Sequence, residues 1–195
     1  MQGPEDAASQ LYTDSTHSPE RRGFLRHAGG AALILAGGLL PFEIANASTR
    51  RFVNMANTHT GERLKVCYFR DGKFVAEACQ RLNHLLRDFR SGDVHAIDPK
   101  LYDLVYAIQT EVGHRGQIEI ISGYRSPATN ARLRSSSTGV AKRSLHMEGK
   151  ALDIRLAGVD TAKVRDAALA LRAGGVGYYK KSDFVHVDTG RVRHW

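Results

Sequence analysis

The N-terminal stretch sets how much of this chain is left to fold. Arg21-Arg22-Gly23-Phe24-Leu25-Arg26 precedes an apolar run from Ala28 to Leu40, and Ala45-Asn46-Ala47 follows it. A basic segment, a short apolar segment and small residues at the exit are the anatomy of an export signal. The arginine pair before Phe-Leu-Arg marks it as the twin-arginine kind, which a receptor reads and which passes proteins already folded. The chain therefore divides into residues 1–47, a twin-arginine export signal cleaved after Ala47, and residues 48–195, one folded domain.

With 42% hydrophobic and 25% charged residues in 195, the chain has globular composition and length enough for one domain with a real core. Two cysteines exclude a disulfide-dense scaffold. No apolar run reaches the roughly 18 residues that span a bilayer, so no stable membrane insertion is expected once the leader is removed. The formal net charge is +8. Glu5, Asp6, Asp14, Glu20 and Glu43 outweigh the leader's arginines, so the folded part is more basic still. A basic protein outside the cytoplasm does not meet nucleic acid; anionic wall polymer or acidic membrane faces are its natural partners. An oxidising compartment permits a Cys67–Cys79 bridge, and two buried thiols are the equal alternative.

Alternation predicts strands over Phe52–Thr58 and Arg63–Phe69, with a turn at Asp71-Gly72. Val75, Ala78, Cys79, Leu82, Leu85, Leu86 and Phe89 recur at three and four, which predicts a helix from Phe74 to Phe89. Asp98-Pro99 opens a second helix that Gly113 closes. A strand over Gln117–Ser122, a short helix over Pro127–Arg134 and a strand over Ala151–Leu156 follow. A helix capped by Asp160 then runs through Arg172, before a hairpin of Val176–Tyr179 and Phe184–Asp188. The expected class is α+β, a small antiparallel sheet flanked by helices.

The chemistry concentrates after Ser122. His146 stands seven positions before Asp153, with Gly149 between them letting the approach loop fold back, and His186 lies in a predicted strand. Two imidazoles and a carboxylate are a zinc set, and three protein ligands leave the fourth position a catalytic site requires. On spacing alone, hydrogen-bonded structural histidines are the commoner reading. Glu148 reads as a solvent-facing loop charge.

Ser122-Gly123-Tyr124-Arg125, then Ser144-x-His146-x-x-Gly149-x-Ala151-x-Asp153, then Phe184-Val185-His186-Val187-Asp188 together resemble the D-Ala-D-Ala metallopeptidase group of zinc peptidases. That group shares its fold with lysostaphin-type enzymes and the Hedgehog signalling domain. Asn57-Thr58-His59-Thr60-Gly61-Glu62, Ala173-Gly174-Gly175-Val176-Gly177-Tyr178-Tyr179 and Arg193-His194-Trp195 resemble, more closely, the murein endopeptidases of Gram-negative bacteria. The resemblance implies one Zn2+ per chain on His146, Asp153 and His186, with Arg125 facing substrate and the developing oxyanion and Ser144 touching substrate. For the general base it implies Asp183, where related dipeptidases place a glutamate three residues before the last zinc histidine. Strand alternation favours Asp188 instead, either as base or as the partner orienting His186. The histidine that serves the carboxypeptidase branch is replaced here by Phe184.

By that resemblance the chain is expected to be a periplasmic, monomeric zinc metallopeptidase that hydrolyses peptide cross-links of peptidoglycan at meso-diaminopimelate. Trimming of D-Ala-D-Ala ends by a D,D-carboxypeptidase or dipeptidase, and a non-catalytic wall-binding module, are the alternatives.

Overall fold

The computed structural model describes residues 50–136 and 139–195. The export signal, its cleavage point and the domain boundary expected at residue 47 lie outside the described residues. Among the described residues, no helix is long and apolar enough to cross a membrane.

Strands β1 (Arg51–Asn57) and β2 (Arg63–Arg70) form an antiparallel hairpin, and the two-residue β3 (Lys73–Phe74) folds back on β2. Asp71 and Gly72 turn that second hairpin with positive φ at both positions, as a tight two-residue β-turn demands. Phe74, expected in the first helix, is therefore a strand residue. Helix α1 runs only from Ala76–Leu85. Beyond it, Asp88 turns the chain by accepting from the Arg90 amide at 3.0 Å and the Ser126 amide at 2.9 Å, a local alternative to helix hydrogen bonding. Helix α2 (Lys100–Val112) starts where the Asp98 carboxylate accepts from the Lys100 amide and ends at left-handed Gly113. Next come β4 (Ile118–Ser122), α3 (Pro127–Ser136), a 3-10 turn at Leu145–Glu148 and β5 (Ala151–Leu156). Helix α4 (Thr161–Leu171), capped by the Asp160 carboxylate on the Ala162 amide, leads into β6 (Gly175–Tyr179), β7 (Phe184–Asp188) and β8 (Arg193–His194).

The class is α+β, but the sheet is neither small nor purely antiparallel. Eight strands lie in the order β3-β2-β1-β4-β5-β7-β6-β8, and the β1–β4 and β6–β8 pairs are parallel. Alternation within a strand carries no record of the neighbour's direction. Parallel pairing arises here because α1 and α2 intervene between β1 and β4, supplying the crossover that a parallel pair needs. Cys67 and Cys79 are both free thiols; the Cys67 thiol lies 3.2 Å from the Phe69 carbonyl oxygen, and burial pushes the Cys79 thiol up.

Strand β5 divides the molecule's two sides. Leu152, Ile154 and Leu156 point into one core with Val185 and Val187 of β7, Leu101 and Val105 of α2, and Val164 and Ala168 of α4. Ala151, Asp153 and Arg155 alternate onto the other face, and there the polar site is built.

Candidate metal centre and substrate cleft

The hydrophobic demand on one face of β5 and β7 fixes what the other face presents. With Leu152, Ile154, Val185 and Val187 facing the core, Asp153 and His186 both face outward, and the antiparallel register sets them directly opposite one another. His146 enters from the 3-10 turn before β5. Left-handed Gly149 closes that turn, packed so tightly on the Ala96 carbonyl that a Cβ would collide with it. The Gly149 carbonyl accepts from the Asp98 amide at 2.9 Å, which pins the turn to the start of α2.

The three side chains converge. His146 Nε2 lies 3.2 Å from His186 Nδ1 and 3.2 Å from Asp153 Oδ1, and His186 Nδ1 lies 2.9 Å from the same oxygen. All three residues are buried. Each imidazole has its other nitrogen committed. His146 Nδ1 donates to the Gly123 carbonyl at 2.8 Å, since that oxygen can only accept. His186 Nε2 donates to the Asp188 carboxylate at 3.0 Å. With those nitrogens committed, the facing nitrogens of both imidazoles and a carboxylate oxygen converge on one point, an arrangement that a cation there would complete. A metal bonded to all three at tetrahedral angles would set them about 3.3 Å apart, close to the spacings seen. His146, Asp153 and His186 form a group that could hold a metal ion.

Electrostatics follow from the same contacts. Burial pushes the Asp153 carboxyl up, but the charges and hydrogen bonds of His146 and His186 outweigh it and hold it well below the usual carboxylate range. Burial likewise pulls His186 down, while Asp153 and Asp188 together raise it above its ordinary value. Asp188 is fully buried and accepts five hydrogen bonds, from His186 Nε2, the Gly175 and Gly190 amides and both Arg193 Nη groups. Its carboxyl is held low by His186 and Arg193 against the cost of burial.

A cleft of about 490 Å³ opens over the cluster, with Arg125, Arg143, Ser144, Tyr179, Phe184 and Trp195 among the groups around it. Arg125 Nη2 is 3.6 Å from Asp153 Oδ2 and 3.4 Å from the Ser122 hydroxyl, and Nη1 is 3.5 Å from Asn130 Oδ1. Its buried Nε has no hydrogen-bond partner among the described residues. Ser144 borders the cleft and its side chain does not cap the turn that follows.

Asp183, placed first for the general base by motif spacing, stands elsewhere. It takes a left-handed conformation, φ 52°, between a 3-10 turn at Lys180–Ser182 and β7. That kink sends its exposed carboxylate to the Thr161 hydroxyl at 3.0 Å and to Arg155 at 3.4 Å, in a separate depression with Glu119 and Asp160. Asp188 is adjacent to the cluster but shielded behind His186. Glu148 is exposed and pairs with Lys150 at 2.9 Å. Sequence reasoning missed Arg143 and the contacts of Arg193 and Trp195. The Arg193-His194-Trp195 motif was their visible signal, but a motif does not say which side chain it braces.

The family model described as peptidoglycan L,D-endopeptidase MepK matches residues 45–195. The chain belongs to that family. It is 44% identical over 170 residues to the peptidoglycan L,D-endopeptidase MepK of Escherichia coli (strain K12), a match covering 86% of this chain and 92% of that protein. The probable peptidoglycan L,D-endopeptidase MepK of Haemophilus influenzae is 47% identical over 171 residues, covering 86% and 91%. The MepK family model spans every residue of the cluster and its cleft.

Proposed function

We propose that this protein is an exported zinc peptidase that cuts peptide cross-links of peptidoglycan at meso-diaminopimelate, working in the periplasm on wall that is being remodelled. The observation that carries the reading is the convergence of three metal-type ligand atoms at 2.9–3.2 Å, with the other nitrogen of each imidazole engaged elsewhere, in a chain of the MepK family. The donor set, two nitrogens and one carboxylate oxygen with an open side, is that of catalytic zinc. Bound there, zinc would supply a Lewis acid for the scissile carbonyl and make a water acidic enough to attack at neutral pH.

The chain's own residues do the rest. Gly123 and Asp188 fix the tautomers of His146 and His186. Arg125, whose Nη2 stands 3.6 Å from Asp153, offers its positive charge to the carbonyl oxygen as that oxygen gains charge, a role worth about 10²–10³ in kcat for a comparable donor. Ser144 and Arg143 border the substrate's path, and the guanidinium of Arg143 suits the free carboxylates of wall peptides. The endopeptidase names of the relatives favour cross-link cleavage over trimming of chain ends. Export through the twin-arginine signal would deliver the enzyme already folded.

Substitution tests this directly. Changing His146, Asp153 or His186 to Ala should abolish stoichiometric zinc and hydrolysis together; full activity in any of the three would refute the ligand set. Changing Arg21 and Arg22 to Lys should leave the protein unprocessed in the cytoplasm. Unaltered delivery to the periplasm would refute the twin-arginine route.

A further inference from the structure

Strand β6 places Gly175, Gly177 and Tyr179 on the same face as His186, because Gly177 pairs with His186 and Tyr179 with Phe184. The two glycines leave that face bare. A Cβ at Gly175 would collide with the Arg193 guanidinium and the Asp188 carboxylate, and one at Gly177 would stand 2.6 Å from the Trp195 ring. Arg193 and Trp195 lie on this floor. Strand β8 is held alongside β6 by the Tyr178 amide donating to the Trp195 carbonyl at 3.1 Å and the Trp195 amide to the Val176 carbonyl at 3.2 Å.

From there the segment reaches the metal ligand by two routes. Arg193 grips Asp188 with both prongs, at 2.7 and 3.0 Å, and Asp188 in turn holds His186 Nε2. The Trp195 ring lies 5.2 Å from the His186 ring. It is itself pinned by a 3.0 Å hydrogen bond from Nε1 to the Tyr179 hydroxyl and by the Arg193 guanidinium 5.0 Å from its ring. The imidazole is therefore fixed in direction by one contact and in tilt by the other.

We infer that Arg193 and Trp195 are positioning residues for the metal ligand His186, acting through Asp188 and through ring packing, and that Gly175 and Gly177 are glycines to admit them. The inference rests on the metal reading above. Asp188 with both oxygens held by the fork has no freedom to swing, so the Nδ1 lone pair of His186 stays aimed at Asp153 Oδ1 and His146 Nε2. A lysine carries the charge but not the fork. A phenyl ring at 195 can occupy the glycine floor, whereas a methyl group leaves it empty.

The test measures zinc affinity by chelator competition and the visible spectrum of the cobalt-loaded protein, neither of which needs peptidase activity. Arg193→Ala should weaken zinc about 10–100-fold, the range for partners that orient a ligand, and alter the cobalt bands. Arg193→Lys should weaken it less, Trp195→Ala should weaken it and Trp195→Phe should restore it. Arg165→Ala is the control. Its guanidinium lies over Tyr178 on the other face of β6, so its loss should leave both readouts unchanged. A folded Arg193→Ala protein with zinc affinity within about twofold of the parent and the parent's cobalt bands overturns the inference. If that variant does not fold, parental values in Arg193→Lys overturn it. So does an equal loss in Arg165→Ala, which would make the effect general strand stability. If the parent protein takes up neither metal, the metal reading falls and this inference with it; a parent that binds beside indifferent variants removes this inference alone.

Discussion

At the scale of single residues, the site is a matter of which nitrogen is free. Gly123 and Asp188 each take one imidazole proton, and the remaining lone pairs meet at Asp153. Gly123 can do this because the chain passes so close to Leu86 that a Cβ there would strike the Leu86 carbonyl. That same carbonyl accepts from the Tyr124 amide at 2.7 Å. Asp188 and Asp183 separate by what their carboxylates hold. Asp188→Asn should lower zinc affinity roughly 10–100-fold, because an amide cannot hold His186 and Arg193 as a carboxylate does. Asp183→Ala should keep zinc and most turnover, measured as the rate of cross-link loss, since its carboxylate serves Thr161 and Arg155. A dead Asp183→Ala enzyme with full zinc would return the proton-transfer role to it. Arg143→Ala should raise KM more than it lowers kcat if that exposed guanidinium meets a substrate carboxylate. That His146, Asp153, His186 and Arg125 come together was legible because their motif is dense and specific. The outward turn of Asp183 was not, because a single left-handed residue before β7 decides it and aspartate carries no strong signal for that conformation.

At the scale of elements, β5 and β7 do two jobs on opposite faces, and the jobs are separable. Ile154→Ala opens the core beneath Asp153 and should destabilise the fold by about 2–5 kcal/mol, read by denaturant unfolding, while the folded protein still binds one metal. The strands themselves were legible to the residue, Ala151–Leu156 and Phe184–Asp188, because their alternation is uninterrupted. The first helix was overread at both ends. Its apolar spacing continues past Leu85, but Asp88 offers the backbone a competing set of hydrogen bonds. That carboxyl is held well below its usual range by the Thr129, Ser126 and Arg90 donors, which outweigh the opposing effect of burial. A depressed folded pKa gives stability that is complete above the unfolded value of about 3.9 and is lost as the pH falls below it. Asp88→Asn should therefore flatten the fall in stability below about pH 4 in an acid titration followed by unfolding; an unchanged slope would show that Asp88 carries no such linkage.

At the scale of the whole molecule, the hydrophobic pattern was enough for an α+β class and the helical order but not for the sheet. Eight strands join in one mixed sheet because β1 returns beside β4 across two helices, a long-range pairing that no local window records. The same sheet explains why residues as distant as His146 and His186 form one centre, and why the Arg193–Trp195 segment can lie against it. The central claim is that this centre, loaded with zinc, cuts peptidoglycan cross-links. The most direct test digests diaminopimelate-type peptidoglycan with the purified protein, with chelator and then with zinc restored, and identifies the released muropeptides by mass spectrometry. Loss of cross-linked dimers that stops with chelator and returns with zinc is the predicted result. Dimers left intact by the zinc-loaded protein, or removal of terminal alanine alone, would contradict it.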